Sequence, residues 1–179
     1  MRHVLLSLIL GSFFLLPATA AIADVEIDWT VTPPLTGEVV GDEVHIEGPW
    51  HHRLLTVDDP GIHRDVYVVR ATIRFENVVG TGFLEMWSYF PDGGAFFSRT
   101  LTESGPMAAL SGDSSEREFE LPFLLNGASV PERVEINVVL PDRGDVWIGS
   151  LVLEGFGGSS HWWSVRQPRA GPTSPPNQR

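Results

Sequence analysis

The chain has 179 residues, a net charge of −11 and no cysteine, and all 12 of its basic side chains are arginine. An acidic surface without lysine repels phosphate backbones and sets nucleic acid aside as a partner, because that affinity comes mainly from neutralising phosphates with Lys and Arg. Without disulfides the fold must hold by core packing, and 42% hydrophobic residues suffice for one domain of ordinary size.

The N-terminus reads as a secretory signal. Arg2 supplies a basic start, Val4 to Leu16 an apolar stretch, and Ala18-Thr19-Ala20 or Ala21-Ile22-Ala23 a small-residue cleavage site. Residues 1–23 are the expected signal peptide, with processing after Ala20 as the competing site. Export to the cell envelope, periplasm or medium follows from it. The alternative is an uncleaved membrane anchor, since the apolar run approaches the roughly 20 residues a spanning helix needs.

Residues 24–156 read as strands separated by turns. The segments are "VEIDWTV" from Val25, "EVHIEG" from Glu43, "DVYVVRATIRFENV" from Asp65, "REFELPF" from Arg117, "RVEINVVL" from Arg133 and "DVWIGSLVLEG" from Asp145. The third is the clearest: Tyr67, Val69, Ala71, Ile73 and Phe75 fall on one face and Arg70, Thr72, Arg74 and Glu76 on the other, the period of a half-buried strand. Turn signals stand at "GD" (Gly41), "DDPG" (Asp58), "VGTG" (Val79), "PDGG" (Pro91), "SGDSS" (Ser111), "NGAS" (Asn126) and "PDRG" (Pro141). No helical stripe is present. The fold class this predicts is all-β, an antiparallel β-sandwich. From residue 157 the chain turns Gly-, Ser- and Pro-rich with no acid, an expected disordered tail over 157–179 that carries Trp162 and Trp163.

The stretch "GFLEMWSYFPDGGAFFSRT" concentrates aromatic and charged groups. Pro91 and Asp92 suit the centre of a type I turn and Gly93 a left-handed position, which predicts a hairpin pairing Trp87 with Phe97 and Glu85 with Arg99. On this register Phe83, Glu85, Trp87, Tyr89, Phe97 and Arg99 share one face. Flat rings beside a carboxylate and a guanidinium are what a sugar requires, with apolar ring faces stacking and planar polar groups taking the hydroxyls. The same pairs are also ordinary sheet stabilisers, together contributing about 0.5–2 kcal/mol.

A second polar concentration is "PWHHR". Trp50, His51 and His52 are candidate ligand contacts at a rim of the sandwich, with His63 and Asp58-Asp59 nearby in sequence. Adjacent histidines on a strand point to opposite faces, so they make a poor chelating pair and no metal is expected. Catalysis finds little footing. "SGDSS" lacks a Gly-x-Ser-x-Gly elbow and reads as a turn, and glycoside cleavage, the low-ranked enzyme alternative, requires two acids about 5 to 9.5 Å apart that no spacing here specifies.

The order of long alternating strand, "FLEMWSYF", "AFFSRTL", "LSGDSSEREFELPF" and closing "GDVWIGSLVLEG" resembles the galactose-binding-like jelly rolls, including bacterial carbohydrate-binding modules. The resemblance implies a jelly-roll fold and glycan binding. It departs at Glu116, where the family's loop tryptophan would stand, and at Gly149-Ser150, where an aspartate pair would stand, so the family's structural calcium is not carried over. The function expected is a non-catalytic binding domain, needing no cofactor, for carbohydrate or another envelope polymer. The competing expectation is a structural or protein-interaction domain whose aromatic surface a partner covers.

Overall fold

The computed structural model describes residues 25–62, 65–125 and 129–156. The expected signal peptide, the tail with Trp162 and Trp163, His63 and the "NGAS" turn lie outside the described residues. Nine strands run in chain order: β1 Val25–Ile27, β2 Glu38–Val40, β3 Glu43–Glu47, β4 Trp50–Asp58, β5 Val66–Tyr89, β6 Ala95–Arg99, β7 Leu110–Leu124, β8 Arg133–Leu140 and β9 Asp145–Phe156. Every strand pairing is antiparallel. The protein is an all-β sandwich, as its pattern predicts.

One strand belongs to both layers. The first half of β5, through Glu76, pairs with β7 and β9 in a sheet completed by β3, β2 and β1. Its second half, from Phe83, pairs with β8 and β6 in a sheet that ends at β4. Between them the strand changes direction through Asn77 and Gly80, whose φ angles are 53° and 83°. At Gly80 a Cβ would also meet the Pro141 ring at 2.9 Å, so this corner requires glycine on two counts.

The predicted turns at "VGTG" and "SGDSS" are not turns. Both lie inside strands and pair with each other, Val78 with Gly112 and Gly82 with Leu110, through three register shifts. Glycines in these segments accommodate coiling and bulging of a continuous ladder rather than chain reversal. β2 and β4 had no clear sequence signal, and "VEIDWTV" forms a strand only over its first three residues before Asp28 caps a turn with its carboxylate on Thr30.

The core fills the space between the sheets. Tyr67, Val69, Ala71, Ile73 and Phe75 are all buried, as the alternation predicts, and they meet Leu84, Met86, Val134, Ile136 and Val138 from the second sheet. A buried polar link crosses this stretch: the Tyr67 hydroxyl donates to Ser88 Oγ at 2.5 Å, both groups being buried. Burial pushes the Tyr67 hydroxyl above its ordinary range, with the Ser88 bond opposing, so it stays a protonated donor. Tyr67→Phe should cost about 1–2 kcal/mol by orphaning the Ser88 hydroxyl, and Tyr67→Phe with Ser88→Ala should recover most of that loss in urea unfolding.

Candidate functional site

The hairpin has the register its turn predicts. Phe90 and Gly94 close the loop, Gly93 takes φ 84°, and Glu85 pairs with Arg99 and Trp87 with Phe97. Alternation then decides the faces. Leu84, Met86, Ser88, Phe90 and Thr100 enter the core, while Phe83, Glu85, Trp87, Tyr89, Phe97 and Arg99 stand on the outer side of the second sheet. Phe96 departs from this pattern. It occupies a core-facing position but is 59% exposed, because β6 is a short edge strand; the Phe90 ring meets it edge-on at 5.8 Å.

Pairing with β8 and β4 widens the face. Asn137 lies opposite Glu85, Glu135 opposite Trp87 and Arg133 opposite Tyr89. On β4, His51 and Arg53 flank Val139 and Asn137, and a bulge follows: Arg53 pairs with Asn137 but Leu55 pairs with Ile136. The extra residue, Leu54, lets both leucines turn inward and returns Thr56 to the outer side beside Glu135. His51, expected at a separate rim, is thus part of the same surface as Glu85.

Glu85 is the centre of this surface and is 1% exposed. Its Oε1 accepts from Trp87 Nε1 at 2.8 Å and from Asn137 Nδ2 at 3.2 Å, and its Oε2 accepts from Arg99 Nε at 2.6 Å. His51 Nε2 lies 3.1 Å from Oε1. Burial pushes the pKa of this carboxyl up, but the bonds from Arg99, Trp87 and Asn137 and the Arg99 charge outweigh it and hold the group below its ordinary value. Glu85 is a carboxylate with its lone pairs engaged. It acts as an anchor for neighbouring side chains rather than as a proton donor.

A second carboxylate repeats the arrangement. Glu135 Oε2 accepts from the Tyr89 hydroxyl at 3.2 Å and lies 3.2 Å from Arg53 Nη2, while Arg133 Nε lies 3.6 Å from Oε1. Arg133 covers the Tyr89 ring at 4.2 Å. Burial first, then the Glu135 charge and hydrogen bond, raise the Tyr89 hydroxyl above its usual range. The rings form a continuous row: Trp87 lies 6.3 Å from Tyr89 and 5.0 Å from Phe97. Arg99 is held between Phe97 at 4.3 Å and Phe83 at 4.8 Å.

The other rim residues do not join this cluster. His52 faces the opposite way, with Nε2 buried and without a partner, and burial lowers its proton affinity. Trp50 is 73% exposed at the start of β4 and adopts φ 138°, a conformation non-glycine residues rarely take. Among the described residues, no group of three or more His, Cys, Asp or Glu is placed to hold a metal ion. Two shallow depressions lie on the first sheet, one bordered by Arg74, Glu76 and Asp113, the other by Asp28, Trp29 and Asp42, and neither shares a residue with the aromatic face.

No family model matches the chain and no curated protein matches it. Solved structures do. The chain is similar to the VP2 subviral particle of infectious bursal disease virus at 12% identity and TM-score 0.48, covering 84% of this chain and 38% of that one. The Gt strain of the same virus gives 13%, 0.45, 84% and 38%. The apo CBM1 of BiXyn10A, a carbohydrate-binding module, gives 14% identity and TM-score 0.44 over 74% of this chain and 97% of that one. The chain spans 38% of the length of each viral chain it matches. The expected galactose-binding-like membership has no support from sequence families, and the all-β fold is what stands.

Because the folded Glu85 carboxyl sits below its ordinary value near 4.5, it contributes stability that is present above that value and lost as pH falls through the folded one. Urea unfolding from about pH 6 to about pH 3 should therefore show a steeper loss for the wild type than for Glu85→Gln. Parallel losses in the two proteins would remove Glu85 from its anchoring role.

Proposed function

We propose that this protein is an exported, non-catalytic binding domain that holds carbohydrate on the outer face of its second sheet. The observation that carries the reading is the row Tyr89, Trp87 and Phe97, with Phe83 beside it, set among guanidinium groups that two buried carboxylates fix in place. Sugars present apolar ring faces and in-plane hydroxyls, and such a surface answers both. A non-catalytic role is supported by the state of Glu85, whose bonds from Trp87, Asn137 and Arg99 favour the carboxylate over the proton-donating acid.

A protein-interaction surface is the second reading, and one feature favours it. Phe96 and Leu101, at the β6 edge and just beyond it, are 59% and 51% exposed, which gives the margin of the face an apolar character that sugars do not need.

The test is tryptophan emission with iodide quenching during titration of a panel of soluble polysaccharides. Saturable protection by at least one glycan is expected, and Phe97→Ala, at an exposed position, should weaken it about tenfold or more with little change in melting temperature. Binding that Phe97→Ala and Trp87→Ala leave intact would move the site elsewhere. Absence of any glycan effect would favour the protein-partner reading.

A further inference from the structure

The aromatic face differs electrostatically from the protein that carries it. The chain has a net charge of −11, yet three of its arginines stand on this one surface. Counted by register, the face is balanced: Arg53, Arg99 and Arg133 against Glu85, Glu135 and Asp58. Counted by what solvent meets, it is not. The arginine side chains are 55%, 34% and 42% exposed, whereas Glu85 and Glu135 are 1% and 7% exposed. Of the acids, only Asp58 is open, at the far end of β4 opposite Arg133. The carboxylates lie beneath and the guanidiniums above.

Donor capacity on this face exceeds its acceptors. Arg99 spends only Nε on Glu85, and no other described residue accepts from its Nη1 or Nη2. Arg133 Nε is buried without a hydrogen-bond partner. Arg99 is also held between two rings, so its fork is ordered before any ligand arrives and little side-chain entropy remains to be lost. A guanidinium presented in this way matches a planar carboxylate through two parallel bonds better than it matches a hydroxyl. The remote acidic surface does little to oppose this, because charges beyond about 8 Å are screened at physiological ionic strength.

We infer that the ligand of this face is a polyuronate, a polysaccharide whose sugar rings stack on Trp87 and Phe97 while their carboxylates meet Arg99 and, farther across the face, Arg53 and Arg133. The inference rests on the carbohydrate reading above and narrows it to an anionic class.

The experiment titrates the full chain with polygalacturonate and with alginate, each beside its methyl-esterified form, and with neutral xylan and β-glucan. Esterification removes the charge and keeps the backbone. The expected result is binding of a free polyuronate about tenfold or more tighter than of its ester, weakening about tenfold between about 0.05 and about 0.5 M NaCl. Arg99→Gln should remove most of this preference. Should that variant unfold by orphaning Glu85, Arg53→Gln with Arg133→Gln, both at more exposed positions, should reduce the preference in a folded protein. Equal binding of acid and ester, or binding of neutral glycans alone, would overturn the polyuronate inference and leave the carbohydrate reading standing. Binding of no glycan would overturn both.

Discussion

A buried carboxylate organises the outer face of the second sheet. Removing Glu85 from water costs several kcal/mol unless donors replace the solvent, and they come from two strands besides its own, Asn137 on β8 and Arg99 on β6, with Trp87 from β5 itself, while His51 on β4 lies beside them. This requirement fixes more than one side chain. A one-residue slip of β5 against either neighbour would carry Glu85 into the apolar core and bring Leu84 or Met86 to the surface. The register that packs the core is therefore the same register that assembles the aromatic row, and binding surface and fold share one constraint.

The second constraint is the passage of β5 from one sheet to the other. Its first half carries the inner residues Tyr67 to Phe75, its second half the outer residues Phe83 to Tyr89, and the two are joined rigidly through Asn77 and Gly80 rather than by a free loop. The Tyr67–Ser88 bond ties these halves across the core. The platform is thus attached to the longest of the nine described strands, which takes part in both sheets. A surface held in this way changes little on binding, which suits recognition of an extended polymer by stacking rather than by closure around it.

Much of this was legible locally. The "PDGG" turn set the hairpin register because Gly93 is required at a left-handed position, and the strict alternation from Tyr67 to Phe75 set the inner face. In "RVEINVVL", Arg133, Glu135 and Asn137 visibly share a side, but nothing in that segment names the strand it adjoins. Glu135, Asn137, Arg53 and Arg133 entered the site only through pairing of strands far apart in sequence. The "VGTG" and "SGDSS" segments misled for a related reason. A glycine with positive φ serves a turn and a bulged ladder equally well, and the partner strand that makes it a ladder is remote in sequence, as with Val78 and Gly112. Leu54 illustrates the same limit, since the bulge that brings His51 and Arg53 onto the platform depends on β8.

The two outer faces explain why a ligand would choose one side. On the first sheet, Arg74 gives three hydrogen bonds to Glu43 and lies 3.9 Å over Trp147, whose other neighbour is His45 stacked at 4.7 Å. Arg70 there bonds both Glu120 and Glu154. Its cations are consumed by its own acids, and its indole is already covered by an arginine and a histidine. On the second sheet the acids beside the aromatic row, Glu85 and Glu135, are buried, and Phe97 stands half-exposed next to an arginine with unused N–H groups. Arginine, glutamate and tryptophan occur on both faces, but on the first the arginines Arg70 and Arg74 are paired internally, whereas on the second Arg99 keeps N–H groups that no acceptor among the described residues takes.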